Sequence, residues 1–576
     1  MQSSRSRIPP HLRCYVVEQA YDAYGEVAQA VWRFVLLHLH GHLKHVAHPA
    51  YVEGLRATGL SVDRVPRIEH VDECLARFGW GAVCVDGFIP PRAFQEFQAL
   101  GLLPIAAEIR THKHLAYTPA PDIIHEAAGH APILVDYEYA AFLRRIGAMG
   151  ARAFTLPTDS IVYDAIYVLS ELKESPEATL DQVNAAERRL RAATEGAAEV
   201  SEATLLSRLY WWTAEYGLIG TPRDYRLYGA GLLSSLAESH TCRRDDVHKL
   251  PLAAECMNAE YDITRPQPQL FVASSFRHLH DVLDVAEQSL ACSKGGVYAL
   301  EQARNSGEIA TVQLLDGLEV IGRVAQVLAG SSSAHFIGFR GRTALARDGA
   351  LVSPPRGGTD AGYGLALGPL AGGGSLATAS DRVRSAREPG ARLHFELASG
   401  LYLSATLHAA GKTRGILTLR DLMVRAGDAP LFEHHGPIEC AFADGVKTAF
   451  AGASVAAFHP ETDFAETRVP RARQLPTDER QLEQLYERAL DCWQRVHGRS
   501  VVPMFESIHE ALERHFPDDW LLRWNLLECL VKIGDDGELK TKLERRLADL
   551  EAKFDHREPI ATGLSSLRRR AREANG

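Results

Sequence analysis

The sequence lacks the features that mark secreted, membrane-spanning and nucleic-acid-binding proteins. Its nine cysteines are scattered over 576 residues without a Cys-x-x-Cys pair, so neither a disulfide framework nor a thiolate zinc site is indicated. No apolar run is long enough to cross a bilayer, and the start of the chain has no hydrophobic segment typical of a secretory signal. The formal net charge of −10 gives no electrostatic reason to expect nucleic acid. We therefore expect a cytoplasmic protein without a membrane or nucleic-acid partner, in which any metal has nitrogen and oxygen ligands.

The hydrophobic pattern changes twice along the chain, whose length already exceeds what one core ordinarily supports. Helical periodicity comes first, and it then gives way to short alternating segments around the turns Asp316-Gly317 and Ser399-Gly400, which predict hairpins. The segment 351–380 is rich in Gly, Pro and Ser and is predicted to be a loop or linker. The predicted fold class is multidomain: a mainly α domain with short strands over 1–305, a small antiparallel β domain over 306–470, and a helical C-terminal region over 471–576.

Two histidines stand five residues apart in the segment 117–134. At about 100° per residue, five steps rotate by about 140° around an ideal α-helix, so His125 and His130 cannot share one helix face. The helix is therefore predicted to end or distort between them, and Gly129 followed by Pro132 indicates an end. On this segment alone, two hydrogen-bonded histidines at a helix end are as good an interpretation as a metal site.

A carboxylate in a second segment favours the metal site. Glu215 lies among aromatic and apolar residues, where an uncompensated charge is costly, so a cation is its expected partner. Two imidazoles and one carboxylate form the facial triad of non-haem Fe(II) oxygenases, in which other positions stay open. The zincin motif spaces its histidines at i and i+4. The extra residue between His125 and His130 excludes that motif, and with it the role of general base for Glu126.

These segments belong to a series of motifs that resembles one known family, the pterin-dependent aromatic amino acid hydroxylases. The motifs are Phe88–Phe94 with Arg110 sixteen residues further on, Tyr117–Pro132, Tyr210–Leu218, Tyr228–Ser235 and Gln267–Phe276. The resemblance covers roughly residues 10 to 300, about half of the chain. Because every motif lies upstream of residue 305, a chain cut there is expected to remain a folded and active hydroxylase.

The resemblance implies a cofactor set and a role for each matching residue. Iron(II) would be held by His125, His130 and Glu215, which are thus the metal ligands and catalytic residues, with a tetrahydropterin as cofactor and O2 as cosubstrate. Phe94 would stack on the pterin ring, and Glu126 would face the pterin, mostly through water. The residues implied to bind the amino acid are Arg110, Thr118 and Ser234 at its carboxylate, and Pro121, Trp211 and Gly231 with the ring of His125 around its side chain.

The function implied by the resemblance is hydroxylation of the ring of an aromatic L-amino acid, with phenylalanine to tyrosine as the expected reaction. Three positions depart from the pattern of phenylalanine hydroxylases. Tyr216 replaces the usual Phe, and Ala120 replaces the usual Glu. At the third position, Ile263 is more like the residue of the tryptophan enzymes than that of the phenylalanine enzymes. Tryptophan or another aromatic amino acid is therefore an alternative substrate. A second alternative is an interaction protein built on a hydroxylase-like domain, since residues 306–576 offer a surface for a protein partner or for self-association.

Overall fold

The chain folds into an N-terminal helical part, a large β-sheet and a group of C-terminal helices. The residues described by this computed structural model are 4–87, 89–111, 115, 121–174, 178–196, 199–263, 265–330, 333–356, 362–410, 414–455, 458, 477–495, 498–553 and 557–575. No helix within these ranges is long and apolar enough to cross a membrane. All nine cysteines are free thiols.

The N-terminal part (residues 4–306) is built mainly from helices. Its α-helices are α1 (Glu26–Val46), α2 (Pro49–Ala57), α3 (Ile68–Leu75), α4 (Pro91–Ala99), α5 (Ala131–Ile133), α6 (Tyr137–Arg152), α7 (Pro157–Glu174), α8 (Leu180–Glu195), α9 (Glu202–Tyr210), α10 (Ala230–Ser234), α11 (Glu238–Thr241), α12 (Phe276–Ser289), α13 (Ala291–Lys294) and α14 (Gly296–Ser306). Two segments, Ile124–His130 and Trp211–Glu215, are π-helical. Short 3-10 segments are Ser4–Arg7, Pro10–Tyr15, Tyr21–Ala23, Ala76–Phe78 and Ala254–Asn258.

Six short strands complete the N-terminal part. They are β1 (Gly81–Val85), β2 (Leu102–Ala106), β3 (Leu218–Thr221), β4 (Asp224–Leu227), β5 (His248–Pro251) and β6 (Gln269–Ala273). Strands β1 and β2 form a parallel pair, and the other four form a sheet in the order β4-β3-β6-β5. All residues of β1 and β2 are buried, as expected for strands covered on both faces. The predicted mainly α domain with short strands is confirmed.

The described residues in the middle of the chain form one sheet of eleven strands. They are β7 (Ile309–Leu314), β8 (Leu318–Ala329), β9 (Ala334–Arg347), β10 (Ala350–Arg356), β11 (Gly362–Leu367), β12 (Arg392–Glu396), β13 (Leu401–Ala410), β14 (Ile416–Ala426), β15 (Ala429–His434), β16 (Ile438–Ala443) and β17 (Val446–Ala451), with helix α15 (Leu376–Ala386) between β11 and β12. The hairpins predicted at Asp316-Gly317 and Ser399-Gly400 are present as β7–β8 and β12–β13.

Two expectations about this sheet were wrong. The sheet is large and mixed, not small and purely antiparallel, because β11 and β16 run parallel. The chain between them, with a helix and four strands, is long enough for the crossover that parallel strands need. Most of the described part of 351–380 is also not a loop, since it contains most of β10, all of β11 and the start of α15. Gly364 lies inside β11 because a side chain there would be crowded. A Cβ on Gly364 would lie 3.2 Å from the sulfur of Cys440.

The N-terminal part is packed against both of the other parts. Ala299, Leu300 and Ala303 of α14 belong to the hydrophobic cluster of the sheet. On the other side lie the C-terminal helices, α16 (Thr477–Arg495), α17 (Val502–His515), α18 (Leu521–Lys532), α19 (Glu538–Lys553) and α20 (Arg557–Asn575). Phe34 of α1 makes edge-on ring contacts to Trp520 and Trp524, with centroids 5.1 and 4.8 Å away. The C-terminal helices therefore share one hydrophobic core with the N-terminal part.

Candidate metal centre

Both histidines of the predicted ligand set lie on one π-helical segment. His125 and His130 belong to Ile124–His130, which continues into α5 without a break. In a π-helix each N–H bonds to the carbonyl five residues back, so residues five apart stand one turn above each other. The helix thus distorts but does not end near Gly129, and the prediction of an end there was wrong. The two imidazole rings lie 5.0 Å apart, centre to centre, at an angle of 84°.

Gly129 allows a close contact between the π-helical segment and α10. A Cβ on Gly129 would lie only 2.8 Å from the carbonyl oxygen of Ala230, the first residue of α10. No ordinary side chain fits this gap without a shift of the backbone. The glycine therefore lets α10, which carries Ser234, approach the π-helix that carries both histidines.

The third predicted ligand, Glu215, is the last residue of the second π-helical segment, Trp211–Glu215. Glu215 Oε1 is 3.0 Å from His130 Nε2, and Glu215 Oε2 is 3.2 Å from His125 Nε2. One ligand atom from each of the three residues lies within 4.8 Å of the other two, and no other such group of three occurs among the described residues. The three side chains therefore converge on one point, as a metal ion requires.

The charge of Glu215 is stabilised by the two histidines. Burial alone would raise the pKa of Glu215, but His130 and then His125 outweigh it and hold the pKa well below its ordinary value. The group is therefore a carboxylate at neutral pH. A buried anion facing two imidazole nitrogens matches the donor set of a divalent iron site, and the residues fit the metal that the sequence predicted.

Ser234 fixes which nitrogen of His125 carries the proton. The Ser234 hydroxyl donates its one proton to the carbonyl of Ala230 over 2.7 Å. It can therefore only accept from His125 Nδ1, which lies 3.0 Å away. In a neutral imidazole this leaves Nε2 unprotonated and turned towards Glu215. A hydrogen bond at the far nitrogen is the usual support of a metal-binding histidine.

Arg110 is held by a carboxylate that the sequence did not reveal as functional. Asp122 accepts from Arg110 Nε and Nη2, both over 2.8 Å, and the two side chains are almost fully buried. Arg110 lowers the pKa of Asp122 against the opposing effect of burial. Asp122 also accepts from the backbone N–H of His125 over 3.0 Å. One buried aspartate therefore links the arginine to the helix of the metal ligands; its position inside the Tyr117–Pro132 motif was the available signal.

Two N–H groups of Arg110 have no hydrogen-bond partner among the described residues. Its Nη1 donates to the carbonyl of Ser234 over 3.2 Å. A guanidinium has five N–H groups, and among the described residues three of them are used by Asp122 and Ser234. The remaining N–H groups, one on Nη1 and one on Nη2, are the pair of donors with which a guanidinium can bind a planar carboxylate through two hydrogen bonds.

The other predicted site residues lie around the same centre or outside the described ranges. Phe94 of α4 is half-buried and lies 6.1 Å from the ring of Tyr210, which in turn lies 6.4 Å from His130. Trp211 opens the second π-helix. Pro121 is exposed. A Cβ on Gly231 would lie 3.1 Å from the carbonyl oxygen of Glu215, and Thr118 and Ala120 lie outside the described residues.

Glu126 is a buried carboxyl group beside the metal ligands. It is 4% exposed, and its Oε2 has no hydrogen-bond partner among the described residues. Burial raises its pKa to about 8. A buried polar atom without a partner is costly, so this position suits a ligand that brings its own hydrogen-bond donor, directly or through water.

Known proteins resemble the part of the chain that contains this centre. Phenylalanine hydroxylase from Chromobacterium violaceum, solved with bound iron(III) and oxidised 7,8-dihydrobiopterin, is 27% identical with a TM-score of 0.38, over 48% of this chain and 86% of that one. The phenylalanine-4-hydroxylase sequence of Chromobacterium violaceum is 30% identical over 271 residues, 46% of this chain and 76% of the relative. That of Mesorhizobium japonicum is 29% identical over 279 residues, 47% of this chain and 84% of the relative. Residues 20–163 and 186–293 match the model of the biopterin-dependent aromatic amino acid hydroxylases. These sequence matches show that the chain belongs to the biopterin-dependent aromatic amino acid hydroxylase family.

Proposed function

We propose that the protein is an iron- and tetrahydropterin-dependent monooxygenase that hydroxylates the ring of L-phenylalanine to give tyrosine. The observation that carries the proposal is the convergence of His125, His130 and Glu215 on one point, within a chain of this family. Relatives of which the chain covers 76% and 84% are both phenylalanine-4-hydroxylases, which supports phenylalanine as the substrate.

The metal ligands are proposed to be His125 and His130 through Nε2 and Glu215 through its carboxylate. Bound iron(II) would supply the activation of O2, and a bound tetrahydropterin would supply two electrons. The protein holds its three donors on one side, so that the remaining positions of the metal are left for small molecules. Ser234 keeps the proton of His125 on Nδ1, and it thereby keeps Nε2 available to the metal.

Arg110 is proposed to bind the carboxylate of the amino acid through the N–H groups that no described residue accepts from. Asp122 keeps the guanidinium plane fixed before the substrate arrives, which lowers the entropy lost on binding. Thr118 and Ser234 are proposed to complete the carboxylate site. Trp211, Gly231 and Pro121 would surround the aromatic side chain, with the ring of His125 as a further wall.

The pterin is proposed to bind between Phe94 and Glu126. A half-buried phenyl ring offers a flat apolar surface on which a heteroaromatic ring stacks with an offset. The unpartnered Oε2 of Glu126 would accept from a pterin N–H group or from a bridging water. The sheet and the C-terminal helices have no part in this proposed site, and their proposed roles are assembly, partner binding or regulation.

The experiment is a product analysis of the purified protein with iron(II), tetrahydrobiopterin and each of phenylalanine, tyrosine and tryptophan in turn. We expect tyrosine from phenylalanine, in an amount that follows the pterin consumed, and the highest kcat/KM for phenylalanine. A higher kcat/KM for tryptophan than for phenylalanine would show that tryptophan is the preferred substrate. The absence of any hydroxylated product from the iron-loaded protein would favour an interaction protein built on a hydroxylase-like domain.

A further inference from the structure

A buried tyrosine and a buried glutamate form a hydrogen-bonded pair beside the metal centre. Tyr216 follows the ligand Glu215, and its hydroxyl donates to Glu238 Oε2 of α11 over 2.7 Å. The two residues are only 4% and 3% exposed. A hydrogen bond to a buried carboxyl group is costly to lose, because the remaining partner then stays unsatisfied. The pair is therefore a fixed connection between α11 and the end of the π-helix that carries Glu215.

The ring of Tyr216 touches two of the walls proposed for the amino acid side chain. It stacks on Trp211 with ring centres 4.6 Å apart and an angle of 29°. Trp211 also stacks on Tyr261, at 4.3 Å and 11°. A Cβ on Gly231 would lie 3.0 Å from Cε2 of Tyr216, so the backbone of α10 lies directly against the ring. A change in the tilt of Tyr216 would therefore move Trp211 and alter the space beside Gly231.

The hydroxyl gives this ring an anchor that phenylalanine at the same position would not have. Stacked rings are stable over a range of offsets, so packing alone leaves the tilt of a phenyl ring adjustable. A hydrogen bond is directional, and the bond to Glu238 selects one tilt of Tyr216. The Phe that phenylalanine hydroxylases usually carry at this position cannot make that bond.

We propose, building on the function proposed above, that Glu238 is a positioning residue that holds Tyr216 against Trp211 and so makes the site select a single benzene ring over an indole. An indole is larger, and its entry requires the aromatic walls to move apart. A stack anchored at Tyr216 resists that movement, whereas phenylalanine does not demand it. The pair acts on the choice of substrate and leaves the metal ligands as they are.

The test compares the variants Tyr216→Phe, Glu238→Gln and the double variant, all iron-loaded. We expect Tyr216→Phe to lower the ratio of kcat/KM for phenylalanine over tryptophan by about tenfold, the effect of leaving the buried Glu238 carboxyl group without its hydrogen-bond partner. Glu238→Gln should lower it less, since a neutral amide still accepts a weaker bond. The double variant should not exceed the larger single effect, because both changes remove the same contact. The dissociation constant for tryptophan divided by that for phenylalanine, measured by calorimetry, should fall in the same way.

Tyr486→Phe is the matched control. Tyr486 donates to Asp519 over 3.1 Å in the C-terminal helices, and both residues are buried, so this variant loses the same kind of bond away from the metal centre. The proposal is overturned if Tyr216→Phe keeps the ratio within about twofold of the wild type, if the two single effects add, or if Tyr486→Phe shifts the ratio equally. A wild-type protein that binds phenylalanine without converting it would instead contradict the proposed function, and the dissociation constants would still decide the role of the pair.

Discussion

At the scale of single residues, the metal centre depends on groups that never touch the metal. Ser234 is one of them, because its hydroxyl is committed to the Ala230 carbonyl and so accepts from His125 Nδ1. Asp122 is another, since it holds both Arg110 and the backbone N–H of His125. These contacts orient His125 and Arg110 before any ligand binds.

Ser234→Ala should weaken iron binding without unfolding the protein. The variant removes the acceptor that keeps the proton of His125 on Nδ1, and losing such a support typically costs about 10–100-fold in metal affinity. The measurement is a competition titration of iron(II) against a chelator. Ser289→Ala is the control, because Ser289 makes a similar hydroxyl-to-carbonyl bond on α12 and should leave the affinity unchanged. Equal affinities for Ser234→Ala and wild type would show that Ser234 does not support the ligand.

Glu238 should make the stability of the protein depend on pH. Burial raises its pKa from 4.5 to about 7, against the effect of the Tyr216 hydroxyl, which lowers it. The folded state therefore favours the protonated form, so the stabilisation is complete below pH 4.5 and is lost as the pH rises through 7. Relative to Glu238→Gln, the free energy of unfolding of the wild type should fall by roughly 3 kcal/mol over this range.

Chemical denaturation of both metal-free proteins at several pH values measures this difference. The comparison between the two proteins cancels the titration of all other groups. A difference that stays constant between pH 4.5 and 7 would show that Glu238 titrates as an exposed carboxyl group does.

At the scale of elements, the two π-helical segments make the ligand geometry possible. Each segment ends on a proposed metal ligand, His130 in the first and Glu215 in the second. An α-helix would place His125 and His130 on different faces, whereas the i→i+5 pattern brings them into line. Gly129 then allows α10 to approach the first segment.

Gly129→Ala should damage both stability and iron binding. Its Cβ would lie 2.8 Å from the Ala230 carbonyl oxygen, so α10 must move and take Ser234 away from His125. Overpacking of this kind typically costs about 1–3 kcal/mol. Gly41→Ala in α1 is the control: its Cβ would meet nothing within 4 Å, and alanine should stabilise this helix by about 0.5–1 kcal/mol. Thermal unfolding and iron titration of both variants decide the point, and an unaffected Gly129→Ala protein would refute the close contact.

The elements that the sequence predicted are those with strong local signals. Turn residues located the hairpins at Asp316-Gly317 and Ser399-Gly400, and apolar periodicity indicated the helical parts. The π-helix escaped prediction because its only signal is the spacing of His125 and His130, which an α-helical period cannot accommodate. The strand β11 was missed because its glycines meet a packing need that only the tertiary structure reveals.

Some residues of the candidate site could be predicted from the sequence, and others could not. His125, His130, Glu215 and Arg110 stand in motifs with a family resemblance, and the structure brings the three ligands together. Asp122 had no assigned role because an aspartate after a proline is common in turns. Its function follows only from the position of Arg110 beside it, which is separated by twelve residues in the sequence.

At the scale of the whole molecule, the N-terminal part is covered on two sides by the rest of the chain. Leu300 of α14 packs into the sheet, and Phe34 of α1 packs against Trp520 and Trp524. Glu483 of α16 also accepts from the backbone N–H of Val27 over 3.1 Å. The sheet and the C-terminal helices therefore contribute to the stability of the part that contains the metal centre.

A fragment of residues 1–305 should be markedly less stable than the full chain, although it contains every motif of the family. Each large apolar side chain that loses its cover costs about 1.5–3 kcal/mol, and the total stability of a folded protein is only about 5–15 kcal/mol. We expect a lower melting temperature and aggregation at concentrations where the full chain stays monodisperse. A chain of residues 1–458, which keeps the sheet, should be intermediate. A fragment of 1–305 that melts with the full chain would instead support the independent domain that the sequence predicts.

The central claim is that His125, His130 and Glu215 hold the iron that hydroxylates an aromatic amino acid, and one measurement tests it most directly. Iron content and pterin-dependent tyrosine formation from phenylalanine are determined on the same preparations of wild type, His125→Ala, His130→Ala and Glu215→Ala. Tyr486→Phe serves as a variant with an unaltered site. We expect one iron per chain with tyrosine formation in the wild type and in Tyr486→Phe, and loss of both in the three ligand variants. A ligand variant that keeps full iron and full turnover would contradict the account.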